Sequence, residues 1–338
     1  MAPAGKTVTR TIAVEEHYGT PSYLKFNEAQ ITELTQIGRA HPRIASFAQL
    51  ADLLSNVGEQ RIASMDAAGI DMQVLSLTGP GTEQLEPTEA VKLTQESNDF
   101  VAKAVEKFPD RFVALAALPT PAPDRAADEL ERTVTKFGFK GALINGHIRG
   151  RYLDDKFFWP ILERAESLNV PLYMHPALPP EPVVNSYYSG NFPSGVSPRI
   201  STAAWGWHIE TGIHVLRMVL GGAFDQYPKL QLIIGHLGEA LPFMLMRLEQ
   251  NLPVHLTKLN RPFGAYFREN MHYSISGFNY LPDFLSLLLQ VGVDRIMFSA
   301  DHPFSSMTEA RAFLDRLPVS PADRERIAHT NAEHLLGL

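Results

Sequence analysis

The sequence predicts an α/β protein with a (β/α)8 barrel fold, and three observations support this. Eight short apolar runs recur along the chain, and most are nearly continuous in apolar residues, as strands buried on both faces are. Segments with helical spacing of apolar residues lie between these runs. The length of 338 residues suits a barrel with insertions. An open doubly wound sheet is the competing fold, but it normally has a glycine-rich turn after its first strand, and the turn here reads HYGTP.

The predicted strands alternate with helices, which is the order expected of a parallel barrel. The strands are 11–17 (TIAVEEH), 72–79 (MQVLSLTG), 112–119 (FVALAALP), 140–146 (KGALING), 170–176 (VPLYMHP), 230–238 (LQLIIGHLG), 271–277 (MHYSISG) and 294–301 (DRIMFSAD). The helices are 87–107, 124–136, 158–168, 211–221, 307–317 and 321–336. We expect all eight strands to end on the same side of the barrel.

Two connections are unusually long, and both follow the carboxyl end of a strand. They span residues 18–60 after the first strand and 177–207 after the fifth. The second is rich in Pro, Ser, Gly and aromatic residues, so we expect a loop excursion there rather than a helix. Barrel enzymes place their active sites on this side. No linker or repeat divides the chain, so residues 1–338 are predicted to form a single domain.

Composition limits the possible functions. The net charge of −7 and the pI near 5.9 argue against a nucleic-acid partner, and no basic run suggests a membrane surface. The chain has no cysteine, so a metal ion would have to be held by His, Asp, Glu or Asn. The segment MAPAGKTVTR lacks the apolar stretch of a signal peptide, and we expect a cytoplasmic protein.

The first strand ends in a cluster of charge. In TIAVEEH, a buried run meets two carboxylates and an imidazole, and burying unpaired charge is costly. Side chains alternate along a strand, so Glu15 and His17 are predicted to share one face and Glu16 to lie on the other. An E-x-H pair on one face is a plausible pair of metal ligands, although a solvated strand end would also explain it.

Other predicted strands also end in polar residues. They are Asn145 and His147 after strand four, His175 after strand five, His236 after strand six and Asp301 after strand eight. Any one of these would fit a wet strand end. Together with Glu15 and His17 on one rim, they predict a site for Zn²⁺, Mn²⁺ or Fe²⁺.

An ordered set of fragments carries a family resemblance over nearly the whole chain. The fragments are AVEEH (13–17), RIASMDAAGIDMQVLSL (61–77), SNDFVAKAVEKFPDRFVALAALP (97–119), GFKGALINGH (138–147), PLYMHP (171–176), WGWHIETG (205–212), FDQYPKLQLIIGHLGE (224–239) and FSADHPF (298–304). The sequence resembles the decarboxylase branch of the amidohydrolase superfamily, which contains γ-resorcylate, 2,3-dihydroxybenzoate and 5-carboxyvanillate decarboxylases. The resemblance implies non-oxidative decarboxylation of an ortho-hydroxybenzoic acid to a phenol and CO₂, with a small aromatic acid as substrate.

The resemblance also implies a mononuclear metal site. Its ligands would be Glu15, His17, His175 and Asp301, holding one divalent metal per chain, Zn²⁺ or alternatively Mn²⁺, with no organic cofactor. Hydrolytic relatives often begin with H-x-H and use a carboxylated lysine to bridge a second metal. This chain has Glu at the first position and no lysine at the end of strand four, where Leu143 and Asn145 stand.

Catalytic and substrate-binding residues follow by the same resemblance. The GHLGE segment supplies His236 and Glu239, and either Asp301 or His236 would protonate the ring. Arg61 matches a position associated with the substrate's acidic group. The further substrate-binding candidates are Asn145, Trp207, His302 and Phe304. Two positions depart from the family pattern: His302 stands where many relatives have Tyr, and Trp207-His208 replaces smaller apolar residues.

Two other functions are compatible with the same barrel. A mononuclear metal-dependent hydrolase of a lactone or amide could use the same ligands, and the E-x-H start favours the decarboxylase over it. A catalytically inactive barrel kept as a binding protein would be expected to have lost a ligand, and none is missing. The resemblance further suggests a homodimer or homotetramer, with the long loops and the C-terminal helices as contacts.

Overall fold

The computed structural model describes residues 9–37, 46–193 and 195–338. Strands within these ranges follow the predicted order. They are β1 (Ile12–Tyr18), β2 (Met72–Leu77), β3 (Phe112–Ala114), β4 (Ala116–Ala117), β5 (Ala142–Asn145), β6 (Leu172–His175), β7 (Leu232–Ile234), β8 (Met271–Ser274) and β9 (Ile296–Met297). The predicted third strand, 112–119, is divided into β3 and β4, and its last two residues are Leu118 and Pro119, outside the ladder. The predicted second strand stops at Leu77, ahead of Gly79-Pro80, because proline cannot donate to a ladder.

The strands form a closed parallel barrel. One sheet has the order β1-β2-β3 and the other runs from β4 to β9, with every neighbouring pair parallel. At the break between β3 and β4, the Leu115 amide donates to Leu75 O at 2.9 Å. The Val14 amide donates to Phe298 O at 3.0 Å and joins β1 to the end of β9. The predicted barrel is therefore confirmed.

Helices surround the barrel. They are α1 (Pro21–Phe26), α2 (Glu28–Ile37), α3 (Phe47–Ser55), α4 (Glu59–Ala68), α5 (Pro87–Lys107), α6 (Pro123–Phe137), α7 (Trp159–Leu168), α8 (Glu181–Tyr187), α9 (Val196–Ser201), α10 (Gly206–Leu220), α11 (Ala223–Gln226), α12 (Leu241–Asn251), α13 (Val254–Thr257), α14 (Phe263–Glu269), α15 (Leu281–Val291), α16 (Met307–Arg316), α17 (Pro321–Glu325) and α18 (Asn331–Leu336). A π-helical turn, Arg326–Thr330, interrupts the predicted helix 321–336. In the described ranges, no helix combines the length and apolar character needed to cross a membrane.

Both long connections carry helices. The first contains α1 to α3 and the start of α4, and its residues 38–45 lie outside the described residues. The expectation of a loop without helix at 177–207 is wrong, because α8, α9 and the start of α10 lie there. Pro182 falls in the first turn of α8, where proline needs no amide partner. The prolines of this segment therefore include one at the start of a helix, and they do not exclude helical structure.

The barrel interior is packed with apolar side chains in its lower part. Inward residues come from almost every strand, and Ala332 and Leu336 of α18 pack against them and close the amino-terminal end. The strand residues of this cluster are Ile12, Val14, Met72, Val74, Val113, Leu115, Leu143, Tyr173, Ile233 and Met297. All polar side chains of the predicted metal site therefore sit above a filled core, at the carboxyl end.

A β-bulge in β1 places Glu15 inside the barrel. Ala13 pairs with Gln73 and Glu16 pairs with Leu75, so Val14 and Glu15 together lie opposite a single residue of β2. Val14 belongs to the interior cluster, and Glu15 hydrogen-bonds with interior side chains as well. Strict alternation from Ile12 and Val14 would have turned Glu16 inward instead. Bulges commonly redirect a side chain beside a functional site in this way.

Gly141, just before β5, is predicted to tolerate no side chain. Its φ is +144°, and a Cβ there would lie 2.2 Å from Pro171 O, a carbonyl that accepts the Ala142 amide. We expect Gly141→Ala to lower the free energy of unfolding by at least about 3 kcal/mol. Gly138 is the matched control, because it also has positive φ (+70°) but a Cβ would meet nothing within 4 Å. Gly138→Ala should cost about 1 kcal/mol; equal losses in urea denaturation would contradict the steric explanation.

Candidate functional site

The four predicted metal ligands come together at the carboxyl end of the barrel. Glu15 and His17 lie on β1, His175 ends β6, and Asp301 follows β9. His17 Nε2 is 3.3 Å from Asp301 Oδ1 and 3.8 Å from Glu15 Oε1, and His175 Nε2 is 3.4 Å from the same Glu15 oxygen. Glu15 and His17 are fully buried, whereas the side chains of His175 and Asp301 are each 14% exposed. The site thus has buried walls and a narrow opening.

Two buried atoms at the centre of this cluster have no hydrogen-bond partner among the described residues. They are Glu15 Oε1 and His17 Nε2. The other atoms of the same side chains are engaged: Glu15 Oε2 accepts from the Tyr173 and Ser276 hydroxyls, and His17 Nδ1 lies 3.3 Å from Ser76 Oγ. Buried polar atoms normally have partners. A carboxylate oxygen and an imidazole nitrogen left open toward one point fit a divalent metal ion.

The electrostatics of the cluster suit metal binding. Burial opposes ionisation of Glu15, but His236, His175 and His17 outweigh it and lower the Glu15 pKa to about 2. Burial lowers the pKa of His17 to about 4 and that of His175 to about 3. At neutral pH the two imidazoles are therefore neutral, which is the form that binds a metal.

Asp301 and His236 differ from these groups in the direction of their pKa shifts. Burial, reinforced by the Glu15 carboxylate, raises the pKa of Asp301 well above its usual value. Burial alone would lower the pKa of His236, but the Glu239 and Glu15 carboxylates raise it to about 10. Both side chains are therefore able to carry a proton beside the predicted metal ligands.

His236 and Glu239 are hydrogen-bonded, as the GHLGE segment predicts. His236 Nδ1 lies 2.7 Å from Glu239 Oε1, and His236 Nε2 is 3.9 Å from Glu15 Oε1. The other Glu239 oxygen, Oε2, is 2.6 Å from His208 Nδ1. Burial would raise the Glu239 pKa, but the facing histidines His208 and His236 lower it. Sequence reasoning noted His208 only as a departure from the family pattern and assigned it no contact.

Arg61 is buried beside β1 and contacts the backbone of His17. Its Nε donates to Gln73 Oε1 and its Nη1 to His17 O, both at 2.7 Å, while Nη2 has no partner among the described residues. Gln73 in turn donates to Glu16 Oε2, and Glu16 Oε1 accepts from the Ala300 amide. Burial raises the Glu16 pKa to about 8. These contacts direct Glu16 away from the Glu15 cluster, and the bulge before Glu15 makes this possible.

The other substrate-binding candidates lie around the cluster. The Phe304 ring is edge-on to His17 at 5.6 Å, and the residue is 38% exposed. Trp207 Nε1 donates to His208 Nε2 at 3.0 Å. His302 pairs with Glu16 through the backbone and precedes a cis proline, and Asn145 pairs in register with His175.

Sequence reasoning missed the hydroxyl groups that hold Glu15. Besides Tyr173 and Ser276, Ser274 Oγ lies 3.4 Å from Glu15 Oε2. A signal existed, because Ser274 and Ser276 alternate in the predicted strand 271–277, and polar side chains at alternate positions of an otherwise apolar strand share one face. Glu83 was also missed: it is buried, accepts the Asn145 amide at 2.8 Å, and burial raises its pKa to about 7.

Comparisons with known proteins find relatives that match nearly the whole chain. The family described as Amidohydrolase matches residues 41–338. A γ-resorcylate decarboxylase from Rhizobium sp. (strain MTP-10005) is 34% identical, with 97% of this chain and 98% of the relative covered. The crystal structure of a 2,6-dihydroxybenzoate decarboxylase complexed with 2,6-dihydroxybenzoate superimposes with a TM-score of 0.85 at 32% identity, covering 98% of this chain and all of that one.

A second solved structure bears on the metal. A dihydroxybenzoic acid decarboxylase from Polaromonas sp. JS666, solved with bound manganese and the inhibitor 2-nitroresorcinol, has a TM-score of 0.87. It is 32% identical, and the match covers 98% of this chain and 97% of that one. A protein similar to this chain over nearly its full length thus contains bound manganese. In this chain, Glu15, His17 and His175 form a group that could hold a metal ion.

Proposed function

We propose that this chain, which belongs to the amidohydrolase family, is a metal-dependent decarboxylase that converts an ortho-hydroxybenzoic acid to a phenol and CO₂. The observation that carries this is the pair of open buried atoms, Glu15 Oε1 and His17 Nε2, beside two proton-carrying groups. The full-length similarity to γ-resorcylate and dihydroxybenzoate decarboxylases supports the reaction class. The continuous barrel and the family match from 41 to 338 support the prediction of a single domain.

One divalent cation per chain is proposed, held by Glu15, His17, His175 and Asp301. Two imidazoles and two carboxylates suit Zn²⁺ and Mn²⁺ alike, and manganese in a similar structure favours Mn²⁺. When bound there, such a cation supplies positive charge that favours the ionised carboxylate and ortho-hydroxyl of the substrate. Tyr173 and Ser276 fix the Glu15 carboxylate so that its Oε1 faces the cation.

Asp301 is proposed to deliver the proton that replaces the carboxyl group. The aromatic ring loses CO₂ once the ring carbon bearing the carboxylate is protonated, because the electrons of the broken C–C bond then restore aromaticity. Asp301 Oδ1 lies 3.3 Å from His17 Nε2, inside the cluster, and its carboxyl would carry that proton for part of the cycle by exchange. His236 is the alternative donor: Glu239 occupies its Nδ1, so its Nε2 is the nitrogen available on the side of Glu15.

Five side chains are proposed to contact the substrate. The unpartnered Nη2 of Arg61 is the atom that would meet an acidic group, and the others would flank the ring: Asn145, Trp207, His302 and Phe304. A crystal structure of an inactive variant with 2,6-dihydroxybenzoate tests these assignments together. A substrate carboxylate more than 5 Å from Arg61 would remove that residue from the set.

The reaction is tested with a panel of acids on metal-analysed protein. We expect about one divalent metal per chain, and CO₂ with the matching phenol from at least one of 2,6-dihydroxybenzoate, 2,3-dihydroxybenzoate, salicylate and 5-carboxyvanillate. Both products should be followed, because a phenol without CO₂ would indicate another reaction. Metal-loaded protein that releases no CO₂ from any member would contradict the decarboxylase and favour the hydrolase of a lactone or amide.

A homodimer or homotetramer is also proposed. Phe243 on α12 and Leu289 on α15 are largely exposed, and the two helices pack against each other. Large exposed apolar side chains on one face are typical of an interface. Light scattering on the purified protein would contradict the proposal if it gave the mass of a single chain.

A further inference from the structure

We infer that His208 is a positioning residue: it holds Glu239 in the orientation that presents His236 to the metal site. The inference rests on the proposed function, since it assigns a role within that same site. It starts from a residue that departs from the family pattern, so it concerns this chain in particular.

Glu239 is shared between two imidazoles. Its Oε1 lies 2.7 Å from His236 Nδ1 and its Oε2 lies 2.6 Å from His208 Nδ1. All three side chains are buried, with at most 8% of any residue exposed. Both oxygens of a buried carboxylate therefore have one strong, charge-assisted partner each, and they come from different parts of the fold.

The turn that carries His236 and Glu239 needs such a contact. His236, Leu237, Glu239 and Ala240 all have positive φ, between 49° and 63°. Residues with a Cβ avoid this region, and each costs about 1 kcal/mol there. A strained turn persists only where its surroundings hold it in place. His208 provides such a hold from α10, a helix of 15 residues.

The His208 ring is itself fixed in one orientation. Trp207 Nε1 donates to His208 Nε2 at 3.0 Å, so the proton of a neutral imidazole is on Nδ1, the atom that donates to Glu239. Ala203 O lies 3.1 Å from the same Nε2 and accepts from it when both nitrogens are protonated. The ring also packs edge-on against Phe278 at 5.0 Å. With Nε2 accepting from Trp207, Nδ1 of His208 is the donor to Glu239.

Loss of the His208 contact would affect the metal site through the orientation of His236. Because Glu239 accepts from His236 Nδ1, the Nε2 of His236 is the nitrogen that faces Glu15 Oε1, at 3.9 Å. Without His208, Glu239 Oε2 would be a buried charge without a partner, and the carboxylate would turn or take up a proton. Either change releases His236 from its orientation. Replacing a residue that orients a group at a metal site by hydrogen bonding typically lowers activity about 10- to 100-fold.

The same three side chains could be taken for a second metal site. Their nitrogen–oxygen separations of 2.6 and 2.7 Å are those of hydrogen bonds to a carboxylate. Each Nδ1 is therefore occupied by a proton directed at Glu239, and the geometry is explained without a cation. Two hydrogen bonds, one donated by His208 and one by His236, both to Glu239, account for these contacts.

The test compares three replacements of His208 in the metal-loaded protein. Asparagine places an amide N–H near the position of Nδ1, whereas glutamine places its polar group near Nε2 and leucine offers none. We expect His208→Leu and His208→Gln to lower kcat about 10- to 100-fold, with KM and metal per chain within about threefold of wild type. His208→Asn should keep kcat within about threefold.

A spectroscopic readout separates this inference from the proposed reaction. Imidazole protons bonded to a carboxylate give far-downfield proton NMR signals, and we expect two in the wild-type protein loaded with diamagnetic Zn²⁺, since Mn²⁺ would broaden signals this close to the site. The signal of His236 should weaken or shift in His208→Gln and His208→Leu and persist in His208→Asn. An unchanged His236 signal and kcat in His208→Gln, or equal losses in the Asn and Gln variants, would overturn the inference. Should wild-type protein release no CO₂ while these signals behave as described, the proposed function fails and the positioning role stands.

Discussion

Replacing Asp301 with asparagine is expected to lower kcat for CO₂ release by about 1,000-fold or more. An amide has no acidic proton to give to the ring carbon, and it lacks the negative charge of the carboxylate whose Oδ1 faces His17 Nε2 at 3.3 Å. The measurement is steady-state release of CO₂ and phenol with the best acid of the panel.

Asp315→Asn is the matched control for this substitution. Asp315 is exposed on α16 and forms an ion pair with Arg311 at 3.2 Å, and exposed pairs contribute little to stability. Its kcat should stay within about twofold of wild type. If Asp301→Asn retained a tenth or more of wild-type kcat with metal still bound, Asp301 would not be the proton donor. The assignment would then pass to His236.

Replacing Glu15 with glutamine should remove the metal and, with it, the activity. Glutamine keeps the shape of the side chain, but it lacks the negative charge that a carboxylate ligand offers to a divalent cation. We expect metal per chain to fall at least about 10-fold after dialysis against a chelator, with CO₂ release lost in proportion. Metal content measured by plasma mass spectrometry, beside CO₂ release, gives both readouts from one preparation.

The neighbouring carboxylate provides the control. Glu16 lies on the opposite face of β1, and burial raises its pKa to about 8, so it is largely neutral at pH 7. Glu16→Gln keeps an acceptor for the Ala300 amide and should retain about one metal per chain. Equal metal loss in Glu15→Gln and Glu16→Gln would contradict the proposed ligand set and indicate a general loss of folding around β1.

The barrel was predictable because its strands are apolar and short, and its helices have clear periodicity. The helix predicted at 87–107 agrees with α5 at both ends. The failure at 177–207 arose because proline is read as a helix breaker, although it is favoured in a first turn, as in α8. The break of strand 112–119 at Leu115 depends on which backbone carbonyl each amide hydrogen-bonds to, and those carbonyls belong to distant parts of the sequence.

The candidate site was predictable where its residues stand at strand ends, as His175 and Asp301 do. The structure brings the four predicted ligands together at one end of the barrel. The hydroxyl of Tyr173 and the contact of His208 were not predictable. Each of these depends on packing between elements distant in sequence, which a single sequence does not display.

The bulge at Val14 and Glu15 has a consequence for how this chain tolerates change. Because of the extra residue, the inward-facing residues of β1 are even-numbered below the bulge, at Ile12 and Val14, and odd-numbered above it, at Glu15 and His17. Deleting Val14 would leave Glu15 alone opposite the β2 residue between Gln73 and Leu75, so the ladder would become regular and the interior would lose one hydrocarbon side chain. Replacements among the apolar interior residues need not move the polar side chains above them, since the two parts of β1 pair with β2 in different registers. The packing and the chemistry of this barrel can therefore vary independently, on either side of one inserted residue.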